Sequence, residues 1–144
     1  MKKFKFPLEK VLKYKAIMEE EKHLELIRTQ EQYHEQVFQL NALRDKVKTW
    51  REVLHREVLS INMLSHGCAS VEILEKYVEI QEEKVRQAFE EMELARGIFL
   101  GVRRERRVLE RLKEKMLREY ESAQAAEMQK DLDEIAVSAY VRQN

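Results

Sequence analysis

A seven-residue hydrophobic repeat runs through most of the chain and constrains its fold more than any other feature. In the first half the repeat comprises Leu26, Tyr33, Leu40, Val47, Leu54 and Ile61, with second positions at Leu43, Trp50 and Leu64. In the second half the two tracks are Val71, Val78, Val85, Met92 and Phe99, and Leu74, Ala88, Ala95, Val102, Leu109 and Met116, with Gln81 as a polar interruption. A sustained repeat of seven predicts left-handed supercoiling against a partner helix.

Helix breakers are scarce, because the 144 residues include only 3 Gly and 1 Pro. Pro7 suits a first helical turn, and the next breaker is Gly67, inside a cluster of small residues. We therefore predict one helix over about 7–65, a turn over 66–70 and a second helix over about 71–135. Residues 136–144 have a weak pattern and are predicted to form a frayed tail.

These elements predict an all-α fold, in which two long helices form an antiparallel coiled-coil hairpin as a single domain over residues 1–144. The hairpin is expected to be monomeric, although a parallel homodimer would use the same repeat. Folding about residue 67 places residue i opposite a residue near 135 minus i. That register puts the acidic run 19–21 near Lys113 and Lys115, and the lysines of 2–5 near the acidic run 131–134.

The sequence offers no pattern typical of a catalytic, cofactor or metal site. None of the four His lies three or four residues from another His or from Cys68, and no Gly-rich phosphate loop is present. The net charge of zero argues against nucleic acid, and no apolar run is long enough for direct membrane insertion. A single Cys cannot form an internal disulfide, which favours a reduced, cytosolic protein. We predict a protein that is not an enzyme and needs no cofactor.

Several residues outside the repeat are candidates for contacts with partners. The seam of the first helix is polar at Thr29, Gln36 and Glu57, so it buries little apolar surface. Leu24, Ile27 and Phe38 lie off this seam, and together these three apolar residues predict a docking surface. Taken singly, each is also explained as an ordinary exposed apolar residue. Tyr77 is a further candidate. Arg103, Arg104, Arg106 and Arg107 form either a solvated face or a site for an acidic protein surface. Gly97 and Gly101 indicate either close helix approach or a local soft point in helix two.

The two ends of the chain resemble the flagellar export protein FliJ family. At the start the resemblance rests on Phe4-x-Phe6-x-Leu8-x-x-Val11-Leu12-x-Tyr14-Lys15. Towards the end it rests on Leu109-x-x-Leu112-Lys113-x-Lys115, Tyr120 and the closing Gln129-Lys130-x-Leu132-Asp133-Glu134-Ile135-Ala136. The chain length, the central Gly-containing turn and the two heptad arms also agree with that family.

The resemblance implies a component of the bacterial flagellar type III export apparatus, similar to the stalk of rotary ATPases. Its expected partners are a hexameric export ATPase, whose assembly and activity it promotes, the cytoplasmic part of the membrane export gate, and export chaperones. Such a protein is cytoplasmic and peripherally associated with the inner-membrane apparatus. The implied ATPase contacts are Phe4, Phe6, Leu8, Leu12, Gln129, Lys130, Leu132, Asp133, Glu134 and Ile135. The alternatives are a scaffolding coiled-coil adaptor and the equivalent component of a virulence secretion system.

Overall fold

The computed structural model describes residues 3–56 and 60–143, and within them it contains two α-helices and no strand. Helix α1 spans Glu9–Arg56 and helix α2 spans Ile61–Gln143. The two helices pack against each other as a hairpin, which confirms the predicted fold class. Lys2, and Glu57 as a predicted polar seam residue, lie outside the described residues.

The predicted turn at 66–70 is wrong, because all five residues lie inside α2. The start of α2 is instead capped by Ser60. Its hydroxyl accepts a hydrogen bond from the backbone N–H of Met63 at 3.3 Å, and its carbonyl accepts one from Leu64 at 2.9 Å. A serine that satisfies the free N–H groups of a first turn is a typical N-cap. Ser70, the last residue of the predicted turn, donates its hydroxyl to the carbonyl of His66 within the helix.

Gly67 serves helix packing and does not end a helix. A Cβ atom built on this residue would lie 2.7 Å from Cδ2 of Leu54 and 3.7 Å from the ring of Trp50. The absence of a side chain therefore lets α1 and α2 approach closely near the connection. A glycine between two helical segments looks the same in sequence whether it caps a helix or relieves a contact.

The predicted helix end near 135 with a frayed tail is also wrong, because α2 continues to Gln143. Residues 136–143 contain no Gly or Pro, and Ala136, Ala139, Arg142 and Gln143 all favour helix. With no breaker present, the helix has no local reason to stop at Ile135, even though its hydrophobic repeat weakens.

The hairpin divides into two compact units: unit 1 comprises Met1–Glu19 and Gly101–Asn144, and unit 2 comprises Glu20–Leu100. In unit 2 the core cluster is formed by Leu26, Met92 and Ala95, with Tyr33 and Phe99 packed against it. Tyr33 meets the ring of Phe89 at 5.6 Å, and His23 stacks on Phe99 at 5.1 Å. The residue numbers of both pairs add up to 122, which defines the register of unit 2.

A polar pair interrupts the core of unit 2. Gln81 is only 5% exposed, and its amide nitrogen donates to the backbone carbonyl of Gln36 at 3.0 Å and to its side-chain oxygen at 2.7 Å. Thr29 is also buried and donates its hydroxyl to the carbonyl of Leu26 at 2.8 Å. A buried amide that finds its partners in one alignment only disfavours slipped alignments of the two helices.

The observed register explains which sequence predictions hold. The change from 135 to 122 is 13 residues, close to two heptads, so nearly all the predicted seam residues still face the partner helix. The exceptions are Ile61 and Leu64, which belong to α2 and are exposed. Trp50 is more than one-third exposed but still faces α2, since its ring lies 3.7 Å from the Cβ position of Gly67. The charge pairs depend on the alignment itself and are wrong: in unit 1 Lys113 meets Glu9 at 2.8 Å, and Glu19 meets Arg106.

Unit 1 packs the first part of the chain against α2 in the same antiparallel sense. Phe6 and Val102 are buried, and the ring of Phe4 lies 5.7 Å from that of Tyr120. The predicted pairing of the N-terminal lysines with the acidic run 131–134 is therefore wrong for Lys3 and Lys5, because Phe4, which stands between them, packs beside Tyr120. From Ala125 onward every described residue of α2 is exposed.

Gly97 and Gly101 are expected to be replaceable by Ala with a gain in stability. A Cβ at either position meets nothing within 4 Å, so close approach of α1 does not explain these glycines. Because Gly in a helix interior costs about 1 kcal/mol relative to Ala, Gly97→Ala with Gly101→Ala should raise the free energy of unfolding by about 2 kcal/mol. Thermal melting followed by circular dichroism measures the change.

The matched control is Gly67→Ala, where the same gain in helix propensity is opposed by the contact with Leu54. We expect no increase in melting temperature for this variant. A stabilisation of about 1 kcal/mol, the gain expected from each glycine of the double variant, would show that the contact of Gly67 with Leu54 does not constrain the packing of unit 2.

Candidate partner-docking surfaces

The N-terminal residues predicted to contact an ATPase are largely occupied inside unit 1. Phe6 is 7% exposed, Phe4 and Leu12 are half-buried, and Leu8 is slightly over one-third exposed. The backbone also turns locally here, since the N–H of Glu9 donates to the carbonyl of Phe6 at 3.2 Å. These side chains fix the start of the chain on α2 and leave little of their surface for a partner.

The predicted C-terminal residues lie on a part of α2 that α1 does not cover, residues 125–143, which we call the α2 extension. Gln129, Lys130, Asp133 and Glu134 are exposed, and Gln129 donates to Asp133 at 2.9 Å. Leu132 and Ile135 are 59% and 66% exposed. With Met128 and Ala139 they stand at i, i+4, i+7 and i+11, so four apolar side chains share one face of the helix. Met128 and Ala139 were missed in the sequence, although this spacing identifies them.

The structure does not bring the two predicted terminal groups together. The ring of Phe4 contacts Tyr120, whereas Leu132 lies 12 residues further along α2. At about 1.5 Å per residue this separation is about 18 Å. The N-terminal group and the α2 extension are therefore separate parts of unit 1.

Unit 2 carries an exposed surface along α1. Leu24, Ile27 and Phe38 are all exposed, as predicted, and their spacing places them on one face of the helix. Glu20 and Glu31 lie on the same face and are also exposed. We call these five residues the α1 outer face. Tyr77 is exposed on α2 and contributes to none of the ring contacts within the described residues.

The four predicted arginines divide into two pairs. Arg103 and Arg106 are half-buried and point towards α1, where Arg106 is hydrogen-bonded to Glu19 and also to Glu110 in its own helix. The hydrogen bond that Arg106 donates to Glu19, supported by the charges of Glu19 and Glu110, raises the pKa of the Arg106 guanidinium above its usual value. Arg103 lies 4.0 Å from Glu19, and its Nε has no hydrogen-bond partner among the described residues.

Arg104 and Arg107 are exposed and belong to a longer row of cations in unit 1, which we call the basic ridge. Its members are Arg104, Arg107, Arg111, Lys115 and Arg118, all exposed. Their spacing of three and four residues places them within about 100° of arc on one side of α2. Sequence reasoning stopped at Arg107, although the same spacing continues to Arg118.

The described residues hold no arrangement suited to catalysis or metal binding. No group of three His, Cys, Asp or Glu side chains is placed to hold a metal ion within residues 3–56 and 60–143. An open groove in unit 2 is lined by charged residues of both helices, but Arg44 pairs with Glu82 at 2.9 Å and Arg51 pairs with Glu75. Among the helical residues described, no segment is long and apolar enough to cross a membrane.

The two packed helices, with their heptad core and exposed extension, define a coiled-coil-like helical hairpin. Residues 4–144 match the family model described as flagellar FliJ protein, so the chain belongs to the FliJ family. The family is a non-enzymatic component of the flagellar type III export apparatus. No curated protein and no solved structure matches the chain.

Proposed function

We propose that this hairpin binds the hexameric export ATPase of the flagellar apparatus through the α2 extension and promotes its assembly and activity. Family membership supports the flagellar system over a virulence secretion system or a general scaffold. The observation that carries the proposal is the exposure of the whole α2 extension, with an apolar stripe at Met128, Leu132, Ile135 and Ala139 that none of the described residues covers.

The dimensions of the α2 extension suit entry into the central hole of a ring. A single helix with its side chains is about 10–12 Å wide, narrower than a pair of helices. In this proposal the α2 extension enters first, and the Phe4 and Tyr120 contact marks the point where the two-helix part begins. The acidic Asp131, Asp133 and Glu134 then make salt-sensitive contacts with the ring, while the apolar stripe supplies the contact that salt does not weaken.

The proposal extends to the other expected partners. We assign the cytoplasmic part of the membrane export gate to the α1 outer face in unit 2, where Leu24, Ile27 and Phe38 expose apolar surface beside acidic residues. Tyr77, which is exposed on α2, is proposed to contribute to the contact with the gate. The escort of export chaperones is also part of the proposed function. The protein would then act in the cytoplasm, peripherally associated with the inner membrane through the gate.

Charge substitution in the apolar stripe tests the ATPase contact. We expect Leu132→Asp with Ile135→Asp to abolish stimulation of the export ATPase, because two carboxylates would occupy positions that the proposal places against apolar ring surface. The measurement is ATPase rate against concentration of the hairpin, with circular dichroism to verify that the helices remain.

The matched control makes the same chemical change in unit 2, with Leu24→Asp and Ile27→Asp. This variant should stimulate the ATPase like wild type and lose binding to the purified cytoplasmic part of the gate. If the unit 2 variant loses stimulation while the Leu132 and Ile135 variant retains it, the assignment of the two surfaces is reversed and the proposal fails.

A further inference from the structure

The basic ridge of unit 1 has cations that the chain itself does not neutralise. Among the described residues Arg104, Arg107, Arg111 and Arg118 have no ion-pair partner, and Lys115 reaches only Glu119 at 3.9 Å. By contrast Arg103 and Arg106, on the adjacent side of the helix, face Glu19. Five exposed cations in a straight row, four of them Arg, are suited to binding a row of carboxylates.

The zero net charge of the chain conceals an uneven distribution. Unit 1 contains 16 basic and 11 acidic residues, a net charge of +5. Unit 2 contains 11 basic and 16 acidic residues, a net charge of −5. Each unit is thus attracted to the opposite unit of another copy, and this attraction weakens as salt shortens the Debye length from about 10 Å at 0.1 M to about 3 Å at 1 M.

The α1 outer face of unit 2 matches the basic ridge in spacing as well as in charge. Eleven residues separate Glu20 from Glu31, and eleven separate Arg104 from Lys115, which is about 16.5 Å in both helices. Four residues after the first member of each pair stands an exposed apolar side chain, Leu24 at 61% and Val108 at 64% exposure. A parallel alignment therefore sets Leu24 against Val108 between two opposite-charge pairs.

We propose that the basic ridge of one copy docks on the α1 outer face of a second copy, with Arg104 meeting Glu20 and Lys115 meeting Glu31. Exposed ion pairs are individually weak and the apolar contact is small, so the association is reversible and depends on concentration. A dilute solution contains the monomeric hairpin, and a concentrated one at low salt contains the associated form. The inference does not rest on the proposed binding of an ATPase, and because it uses the α1 outer face, this association and the proposed gate contact exclude each other.

Sedimentation equilibrium of the full chain across a wide concentration range, at low and at high salt, tests the contact. Wild type should associate at low salt and be monomeric at high salt. Arg104→Glu with Lys115→Glu should weaken association at least about tenfold, because two attractive pairs become repulsive. Glu20→Lys with Glu31→Lys should weaken it to a similar extent.

Charge exchange provides the decisive arm. An equimolar mixture of the two variants should associate, since the carboxylates introduced at 104 and 115 in one variant then meet the ammonium groups introduced at 20 and 31 in the other. A chain with all four substitutions should again self-associate. The matched control is Lys10→Glu with Lys13→Glu, which changes the charge of unit 1 by the same amount at exposed lysines outside the ridge and should weaken association clearly less than the ridge variant does.

The proposal is overturned if wild type is monomeric at every concentration in low salt. It is also overturned if the control weakens association as much as the ridge variant, or if the mixture fails to associate while both variants retain wild-type circular dichroism. A lipid surface is the alternative partner of the ridge. It would be assigned if the wild type never self-associates but binds anionic phospholipid vesicles, and if the ridge variant loses that binding.

Discussion

Leu40→Asp should destabilise the hairpin more than any other single substitution to Asp in unit 2 considered below. Leu40 is 5% exposed on the α1 seam, so the substitution places a carboxylate inside the apolar contact between the two helices. A buried unpaired charge costs about 3–5 kcal/mol, which corresponds to a fall in melting temperature of about 10 °C in a chain of this size. Thermal and urea unfolding, followed by circular dichroism, measure both quantities.

Phe38→Asp is the matched control, because it introduces the same charge two residues away on the same helix. Phe38 is 73% exposed, and surface substitutions away from special features usually change stability by less than about 0.5 kcal/mol. Leu54 and Leu109, which are half-buried seam residues, should fall between the two when changed to Asp. If Phe38→Asp melts the protein as severely as Leu40→Asp, Phe38 belongs to the core and the seam is misassigned.

The seam was predictable because a hydrophobic repeat is a property of each helix by itself. Leu26, Leu40 and Val47 on α1, and Met92 and Val102 on α2, were identified from their spacing and are all buried. A shift of the turn leaves this result nearly unchanged, provided that the shift approximates whole heptads. The polar seam residues Thr29 and Gln81 were found by the same spacing, but the hydrogen bond from Gln81 to Gln36 depends on the alignment of two helices.

The position of the turn was not predictable from breakers alone. Gly67 is the strongest breaker in the sequence between Pro7 and Gly97, yet it lies within α2, where its missing side chain makes room for Leu54 of α1. The true start of α2 carries Ser60, a good N-cap with no neighbouring Gly or Pro to announce it. Every error in cross-helix charge pairing follows from this one displacement.

The candidate surfaces were predicted in part. Exposure of Leu24, Ile27 and Phe38 followed from their positions off the seam. The prediction that residues near both ends of the chain share one surface was less accurate, because residues of a family motif need not lie in the same place. Phe6 is buried, whereas Leu132 is exposed on the α2 extension. The basic ridge could not be identified from the sequence, because that requires knowing which arginines α1 neutralises. This depends on the register that places Glu19 beside Arg106.

Truncation after Gln124 should separate function from stability more completely than any point substitution. The described residues from Ala125 to Gln143 are all exposed, so their removal deletes no packed side chain from either unit. A helical segment without tertiary contacts contributes little to folding. We therefore expect the truncated chain to have a free energy of unfolding within about 0.5 kcal/mol of wild type. Its stimulation of the export ATPase should be lost entirely.

The truncated chain also contains its own control, because it retains the α1 outer face with Leu24, Ile27 and Phe38. It should bind the purified cytoplasmic part of the gate as wild type does, while its ATPase rate remains at the level of the enzyme alone at every concentration. Undiminished stimulation would show that the ATPase recognises the two-helix part of unit 1, beside Phe4 and Tyr120, and not the extension. A large fall in melting temperature would show instead that residues 125–143 support the fold, and the loss of stimulation would then carry no information about a contact.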